Sequence, residues 1–372
     1  MTGGGAPSGE NEEMGKVTLQ TIADRVGVSR MTVSNAFSRP DQLSSDLRDR
    51  ILAAADTLGY AGPDPAARVL ATGSTGAVGV LLTDSLSYAF EDEFAARFLG
   101  AIAEALAPTG LALTLLTSSG PAGNVPARDV PIDGAVVYSC DETSSALSWL
   151  KRRRLPLVLV DQPPTDEFAS VNIDDRRGAR LAAQHLIDLG HRNIAIVTSS
   201  VHGPEGILDD VSAVSSGSTS AERMRGWLDA LTAAGIKPVI VQHLHTGEHT
   251  GRRAAELILD LPKRPTAVLC FSDSSAYGVV QAAVARGLSV PSDMSVVGFD
   301  DAPLARRMHP PLTTIRQDAA AKGRAAAAEL VASIEHARNG TTAKINHHLL
   351  DVDIVVREST APPGRRRRPP AR

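Results

Sequence analysis

Two things are scarce in these 372 residues: cysteine, present twice, and net charge, a formal −4. Cys140 and Cys270 each lie in an apolar run (VVYSC, AVLCF), the setting of a buried reduced thiol. Two cysteines build no disulfide framework, so the chain fits a reducing, cytoplasmic compartment. No apolar run approaches the ~20 residues needed to cross a bilayer, so no membrane partner is expected. The start, MTGGGAPSGENEEMG, lacks the cationic beginning and apolar core of a secretory signal; residues 1–15 read as a disordered leader.

Catalytic signatures are missing too. Gly73, Gly76 and Gly79 are not spaced as G-x-G-x-x-G, and there is neither a phosphate loop nor a nucleophile elbow. His347 and His348 are adjacent, and no metal site is expected on them. The sequence therefore points away from an enzyme, with no cofactor and no metal.

What is present is an ordinary globular composition, 43% apolar and 22% charged. The length suits a small domain followed by a large two-lobed one. Up to residue 62 the chain is dense in short helical patterns. From Gly76 onward, continuous apolar runs alternate with Ala-rich helical segments. The runs are 77–83, 111–117, 134–139, 155–161, 193–199, 238–243, 266–272 and 294–300. Unbroken apolar strands separated by helices are the mark of parallel sheets covered on both faces. Eight such strands divide into two halves, so two lobes with a cleft between them are expected. The Gly/Ser-rich stretch 201–220 reads as a long surface loop.

In the N-terminal segment, Thr18 is placed to cap a helix whose apolar face is Leu19, Ile22, Ala23 and Val26, ended by Gly27. Ser29 then caps a second helix, 30–37, with Val33 inward, and Ser44 can cap a third. A small residue, a glycine four later and an apolar residue six beyond that form the helix-turn-helix spacing, whose second helix enters the major groove. A three-helix module that binds no DNA would share that spacing. Between 16 and 73, seven cations stand against six anions. This is a weak electrostatic footprint, so specificity must lean on base contacts and dimerisation.

The wider pattern is more specific. VTLQTIADRVGVSRMTVSNAF, DQLSSDLRDRILAAADTLGY and AARVLATGSTGAVGV resemble the lac repressor family of bacterial regulators. DLGHRNIAIV, ERMRGW, RPTAVLCFSD, SVVGFDD and PPLTTIRQD continue the match in order, over about 16–357. The resemblance implies an all-α helix-turn-helix headpiece with a hinge helix, followed by an α/β two-lobed domain like periplasmic binding proteins, built on two doubly wound parallel sheets. It implies 16–62 for the DNA-binding domain, 63–75 for hinge and linker, and 76–357 for effector binding and dimerisation. The first lobe would take 76–173 plus 303–340, and the second 174–302 plus 341–357. Residues 358–372 would form a disordered basic tail.

By the same resemblance, Arg30, Met31 and Asn35 read bases in double-stranded operator DNA. Arg forks onto guanine and Asn onto adenine. Thr18, Ser29, Thr32 and Ser34 face phosphates, although plain capping also accounts for Thr18 and Ser29. Arg68 and Leu70 belong to the hinge helix, with Leu70 as a minor-groove wedge. A sugar-like effector is expected between Asp161, Arg223 and Asp300, with Tyr88 and Phe90 stacking and Ser272 and Asp273 nearby. Structural ion pairs are the competing account of Arg223 and Asp300. Ser272 stands where several sugar-responsive relatives have Asn, and His249 replaces an aromatic effector residue, so the ligand departs from the usual galactoside type. No leucine-heptad tail is present, and a homodimer is expected.

Overall fold

The structure, a computed structural model, describes residues 17–62, 69–70, 73–82, 86–118, 125–140, 143–200, 203–209 and 218–364. The chain divides into two compact units, Met1–Thr75 and Gly76–Arg372.

The described residues of the first unit include the helices α1 (Leu19–Val26), α2 (Arg30–Ser38) and α3 (Ser45–Thr57). The Thr18 hydroxyl accepts from the Thr21 N–H and the Ser29 hydroxyl from the Thr32 N–H, satisfying amides that α1 and α2 leave without helical partners. Gly27 closes α1 at φ 78°, a left-handed conformation. Ser44 stands at the start of α3 but makes no side-chain cap bond, contrary to the expectation from sequence. Ile22, Ala23, Val33, Ala36, Ile51 and Ala55 form the buried core. Ala23 and Ala36 are the small residues that let the helices approach.

The second unit carries two sheets. The first contains β1 (Ala77–Leu82), β2 (Ala112–Thr117), β3 (Ala135–Tyr138), β4 (Leu157–Val160), β5 (Ala169–Ile173) and β12 (His347–Leu350), in the order β12-β5-β4-β3-β1-β2, all parallel. The second contains β6 (Ile194–Ser199), β7 (Gly206–Leu208), β8 (Val239–His243), β9 (Ala267–Cys270), β10 (Ser295–Asp300), β11 (Thr313–Arg316) and β13 (Asp353–Val355), in the order β13-β11-β10-β9-β6-β8-β7. Its edge strands β7 and β13 run antiparallel to their neighbours. β7 lies inside the stretch read from sequence as an unbroken loop.

The connecting helices are α4 (Leu86–Glu91), α5 (Glu93–Leu106), α6 (Pro126–Asp129), α7 (Ser145–Arg152), α8 (Asp175–Asp188), α9 (Ser218–Ala233), α10 (Glu248–Leu259), α11 (Asp273–Ala285), α12 (Pro303–Arg307) and α13 (Ala319–Arg338). The chain crosses between sheets at three places: after β5, at 317–318 between β11 and α13, and at 351–352 between β12 and β13. The lobe limits drawn from sequence are corrected here. Segment 303–316 stays with the second sheet, because β11 pairs in parallel with β10. Segment 347–350 belongs to the first sheet, because β12 pairs with β5.

Helices α10 and α11 cross with backbones almost touching. A Cβ at Gly251 would collide with the Ser275 carbonyl, and one at Gly278 with the Glu248 carbonyl. Gly278→Ala gains about 1 kcal/mol of helix propensity, but the obstacle is backbone rather than a mobile side chain. Overpacking of about 1–3 kcal/mol should therefore win, read as a lower denaturation midpoint. A midpoint at or above that of wild type would show that the two helices separate freely.

Candidate functional site

Two sites emerge, one in each unit. On α2, Val33 and Ala36 point into the core, which leaves Arg30, Met31, Ser34 and Asn35 on the opposite side. Met31 is 69% exposed, a large apolar side chain held in water on the face expected to read bases. Asn35 donates to the Gln42 side chain at 3.3 Å, a partner that sequence reasoning did not find. Ser29 and Thr32 hydroxyls lie 2.8 Å apart. Of the hinge residues, Leu70 is 88% exposed, and Arg68 lies outside the described residues.

In the second unit, a cavity of about 120 Å³ lies between the C-terminal edges of the two sheets. Since one water needs about 10–15 Å³ on this measure, it holds several waters or one small polar ring. Tyr138, Ser139 and Asp161 line it from the first lobe, and Ser199, Thr219, Arg223, Phe271, Ser272 and Asp300 from the second. Such strand ends are where open α/β sheets bind ligands. Of the five non-glycine residues with positive φ among the described residues, four end strands here: Ser139 at 49°, Asp161 at 54°, Asp300 at 122° and Asp301 at 52°. Each such conformation costs about 1–3 kcal/mol and persists only where surrounding structure enforces it.

The enforcing structure is a chain of buried charges. Lys322 on α13 is 0% exposed, and its ammonium donates to both Asp161 oxygens at 2.6 and 2.8 Å and to Gln317 at 2.7 Å. The Gln317 amide donates onward to Asp300 at 2.7 Å. Asp300 lies 3.9 Å from the Arg223 guanidinium, which bonds Asp175 at 2.8 Å and the Phe271 carbonyl at 2.5 Å. The guanidinium carbon stacks 3.6 Å from the Phe299 ring centre. Asp161, Arg223 and Asp300 are thus brought together, and Lys322, Gln317 and Asp175 are the members the sequence reading missed. A second tie joins the lobes where Glu93 accepts from the Leu304 N–H at 2.6 Å and pairs with Arg307.

Other expected residues fall elsewhere. Ser272 lines the cavity, but its hydroxyl caps α11 by accepting from the Ser275 N–H. Asp273 is corrected: it does not line the cavity, and its carboxylate is spent on the Thr314 hydroxyl and the Ala302 N–H. Gly298 leaves room for it, since a Cβ there would strike the Asp273 carboxylate. Phe90 is also corrected, being 66% exposed and absent from the cavity wall. The Tyr88 side chain lies outside the described residues, and His249 is exposed on α10.

Burial dominates the protonation of these acids. It pushes the Asp273 carboxyl well above the ordinary range, with the neighbouring Asp300 adding to the shift. Burial also raises Asp175, against the pull of Arg223. Asp300 is pushed up to about 7 by burial, with Arg223 opposing and Asp92 reinforcing. A carboxyl whose folded pKa exceeds its unfolded value of about 4 binds its proton more tightly when folded. That stability is complete below about pH 4 and is lost as pH climbs through about 7. Asp300→Asn should accordingly flatten the fall in unfolding free energy across this window. An unchanged pH profile would mean that Asp300 titrates normally.

Comparison with known proteins closes the identification. Residues 18–62 match bacterial regulatory proteins of the lacI family, and 183–360 match a periplasmic binding protein-like domain. An HTH-type transcriptional regulator of Mycolicibacterium smegmatis is 40% identical over 84% of this chain and 89% of its own length. The lac repressor dimer bound to operator and the anti-inducer ONPF superposes with a TM-score of 0.71 at 27% identity, over 93% of this chain and 99% of its own. The CelR–cellobiose complex superposes at 0.65 and 28% identity, over 92% of this chain and 100% of its own. With helix-turn-helix and two-sheet domain in the same order as in these relatives, the chain belongs to the lacI family of transcriptional regulators.

Proposed function

We propose that the protein is a repressor that binds a palindromic operator as a homodimer and is controlled by a small polar, sugar-like effector in the cleft between its lobes. The observation that carries this reading is the pairing of an outward-facing Arg30–Met31–Asn35 surface on α2 with a preformed cavity walled by Asp161, Arg223 and Asp300. The cellobiose complex of CelR supports the effector class, and the operator-bound lac repressor dimer supports the assembly. On α11 the dimer has an apolar candidate face, where Val284 is 57% exposed beside a groove lined by Tyr277, Val280 and Met308. Such a regulator acts in the cytoplasm, and the relatives give no reason to look for catalysis.

In DNA selected from a random pool, Arg30→Ala should cost about 1–3 kcal/mol and relax preference at one base pair per half-site. Equal weakening on selected and random DNA would reduce Arg30 to a phosphate contact.

For the cleft, Arg223 makes a poor probe. Removing it strands the buried Asp175, at a cost of about 3–5 kcal/mol. Asp300→Asn keeps the shape of the site and leaves the Arg223–Asp175 pair intact. Once a thermal-shift screen of metabolites has found a ligand, this variant should hold the selected DNA normally. It should release that DNA only at ligand concentrations tenfold or more above those for wild type, since a lost charged hydrogen bond is worth about 1.5–3 kcal/mol. A wild-type dose response would remove Asp300 from the site.

A further inference from the structure

We propose that a cationic cluster on the first lobe, centred on Lys151, Arg152 and Arg154, binds the phosphate backbone of DNA flanking the sequence that the helix-turn-helix reads. The proposal rests on the operator reading only in taking duplex DNA as the polyanion.

The cluster lies at a defined edge of the first sheet. β1, β3 and β4 are parallel neighbours, with Gly79 opposite Ala135 and Ala135 opposite Leu157. Their N-terminal ends therefore share one edge, the one opposite the ligand cavity. Gly76 opens β1 at this edge, so the chain arrives here from the DNA-binding unit. Its amide donates to Asp133, in the turn that opens β3, at 3.1 Å. The end of α7 and the turn that leads from it into β4 carry four consecutive cations, Lys151 to Arg154. Two neighbouring strands span only about 10 Å across the sheet, so the cluster lies close to the point of arrival.

The side chains are held outward. Arg153 is the structural member, turned back to donate to the Ala127 carbonyl at 2.7 Å and so fastening the turn to α6. Lys151, Arg152 and Arg154 are exposed, and so is Arg128 on α6. Arg128 and Arg152 lie over the Trp149 ring, at 5.9 and 5.2 Å from its centre, and Lys151 lies 5.6 Å from that of Phe168. Aromatic faces position these charges without neutralising them. The acids of the same edge are Asp129, which pairs with Arg128; Asp133, which pairs with Arg338; and Asp166 and Glu167, in the turn before β5. Lys151 and Arg152 also suit the carbonyl end of α7. That role accounts for neither Arg154 nor Arg128.

The need for such a surface comes from the other unit, where residues 16–73 set seven cations against six anions, a weak phosphate-binding footprint. Cations on the first lobe would supply the salt-dependent attraction that this unit lacks.

The test uses the full-length protein with the triple variant Lys151→Ala, Arg152→Ala, Arg154→Ala. It is titrated over a range of salt with a long duplex that carries the selected site between mixed-sequence flanks and with a short one of about two helical turns that carries the site alone. On the long duplex, affinity should fall about tenfold and the log–log salt slope should drop by about 2–3. Binding to the short duplex should be unchanged. The charge-keeping set Lys151→Arg, Arg152→Lys, Arg154→Lys should bind both as wild type does. Three results would overturn the proposal: an unchanged slope on the long duplex, an equal loss on both duplexes, or a loss in the charge-keeping set. A wild-type protein that binds neither duplex would sink the operator reading itself.

Discussion

The second unit depends on one interaction above the others, the ion pair between Asp161 and Lys322. Both groups are out of water, and Lys322 completely so. Taking two charges into the interior costs several kcal/mol each and is repaid only by close geometry and full hydrogen bonding. The ammonium meets both conditions, with three acceptors within 2.8 Å. That repayment fails if Asp161 or Gln317 is missing, and Gln317 carries the hydrogen bonds on to Asp300, beside the Arg223–Asp175 pair. The network also crosses the molecule. Lys322 rides on α13 over the first sheet, Asp300 ends a strand of the second, and Gln317 sits in the segment that passes between them.

That arrangement determines what the cleft offers. The strained φ of Asp161 and Asp300 turns their carboxylates toward the network and leaves edges of both on the cavity wall. The cations behind them are already matched, Lys322 by Asp161 and Arg223 by Asp175. A ligand therefore meets preset acceptors backed by neutralised cations, which suits hydroxyl donors. On the proposed reading, closure around a ligand acts through the same hydrogen bonds that register the lobes. A bound ligand shifts the lobes only insofar as it binds one arrangement better than the other.

Strands that repeat one physical rule were legible in the sequence. All eight continuous apolar runs became strands, and seven are buried along most of their length, as segments covered on both faces are; β2, at the edge of its sheet with only Leu116 buried, is the exception. β5, β7, β11, β12 and β13 were missed for the converse reason. ASVNI, GIL, TTIR, HHLL and DIV are short and mixed, and edge or crossing strands are fixed by pairing rather than by composition. The lobe limits failed with them. In the site, Asp161, Arg223 and Asp300 carried the family's pattern, whereas Lys322 sits in AAAKGRAAAA and looks like a surface charge on an Ala-rich helix. The available signal was its face: Ala319, Gly323, Ala326 and Ala327 are all buried beside it, and Gly323 is pressed against the Phe98 carbonyl. A lysine on a face of small residues has no route to water. Asp273 misled in the opposite way, since adjacency to Ser272 in sequence says nothing about which side of the α11 start a carboxylate faces.

The first unit raises the question of whether one hydroxyl can both hold a helix and hold DNA. Thr18 and Ser29 cap α1 and α2 by accepting from backbone N–H groups. Capping consumes an acceptor lone pair, whereas a phosphate oxygen needs a donor, and a hydroxyl carries both. Ser29 adds a close approach to the Thr32 hydroxyl, in which one of the two must donate. If Thr32 donates, the Ser29 proton remains for phosphate; if Ser29 donates, the Thr32 proton does. Either way the pair keeps one donor at the start of α2, where the helix dipole already favours an anion. Capping and phosphate contact are therefore compatible demands on the same residues. Arg30 and Asn35 cap nothing, which on the proposed reading leaves them to specify sequence.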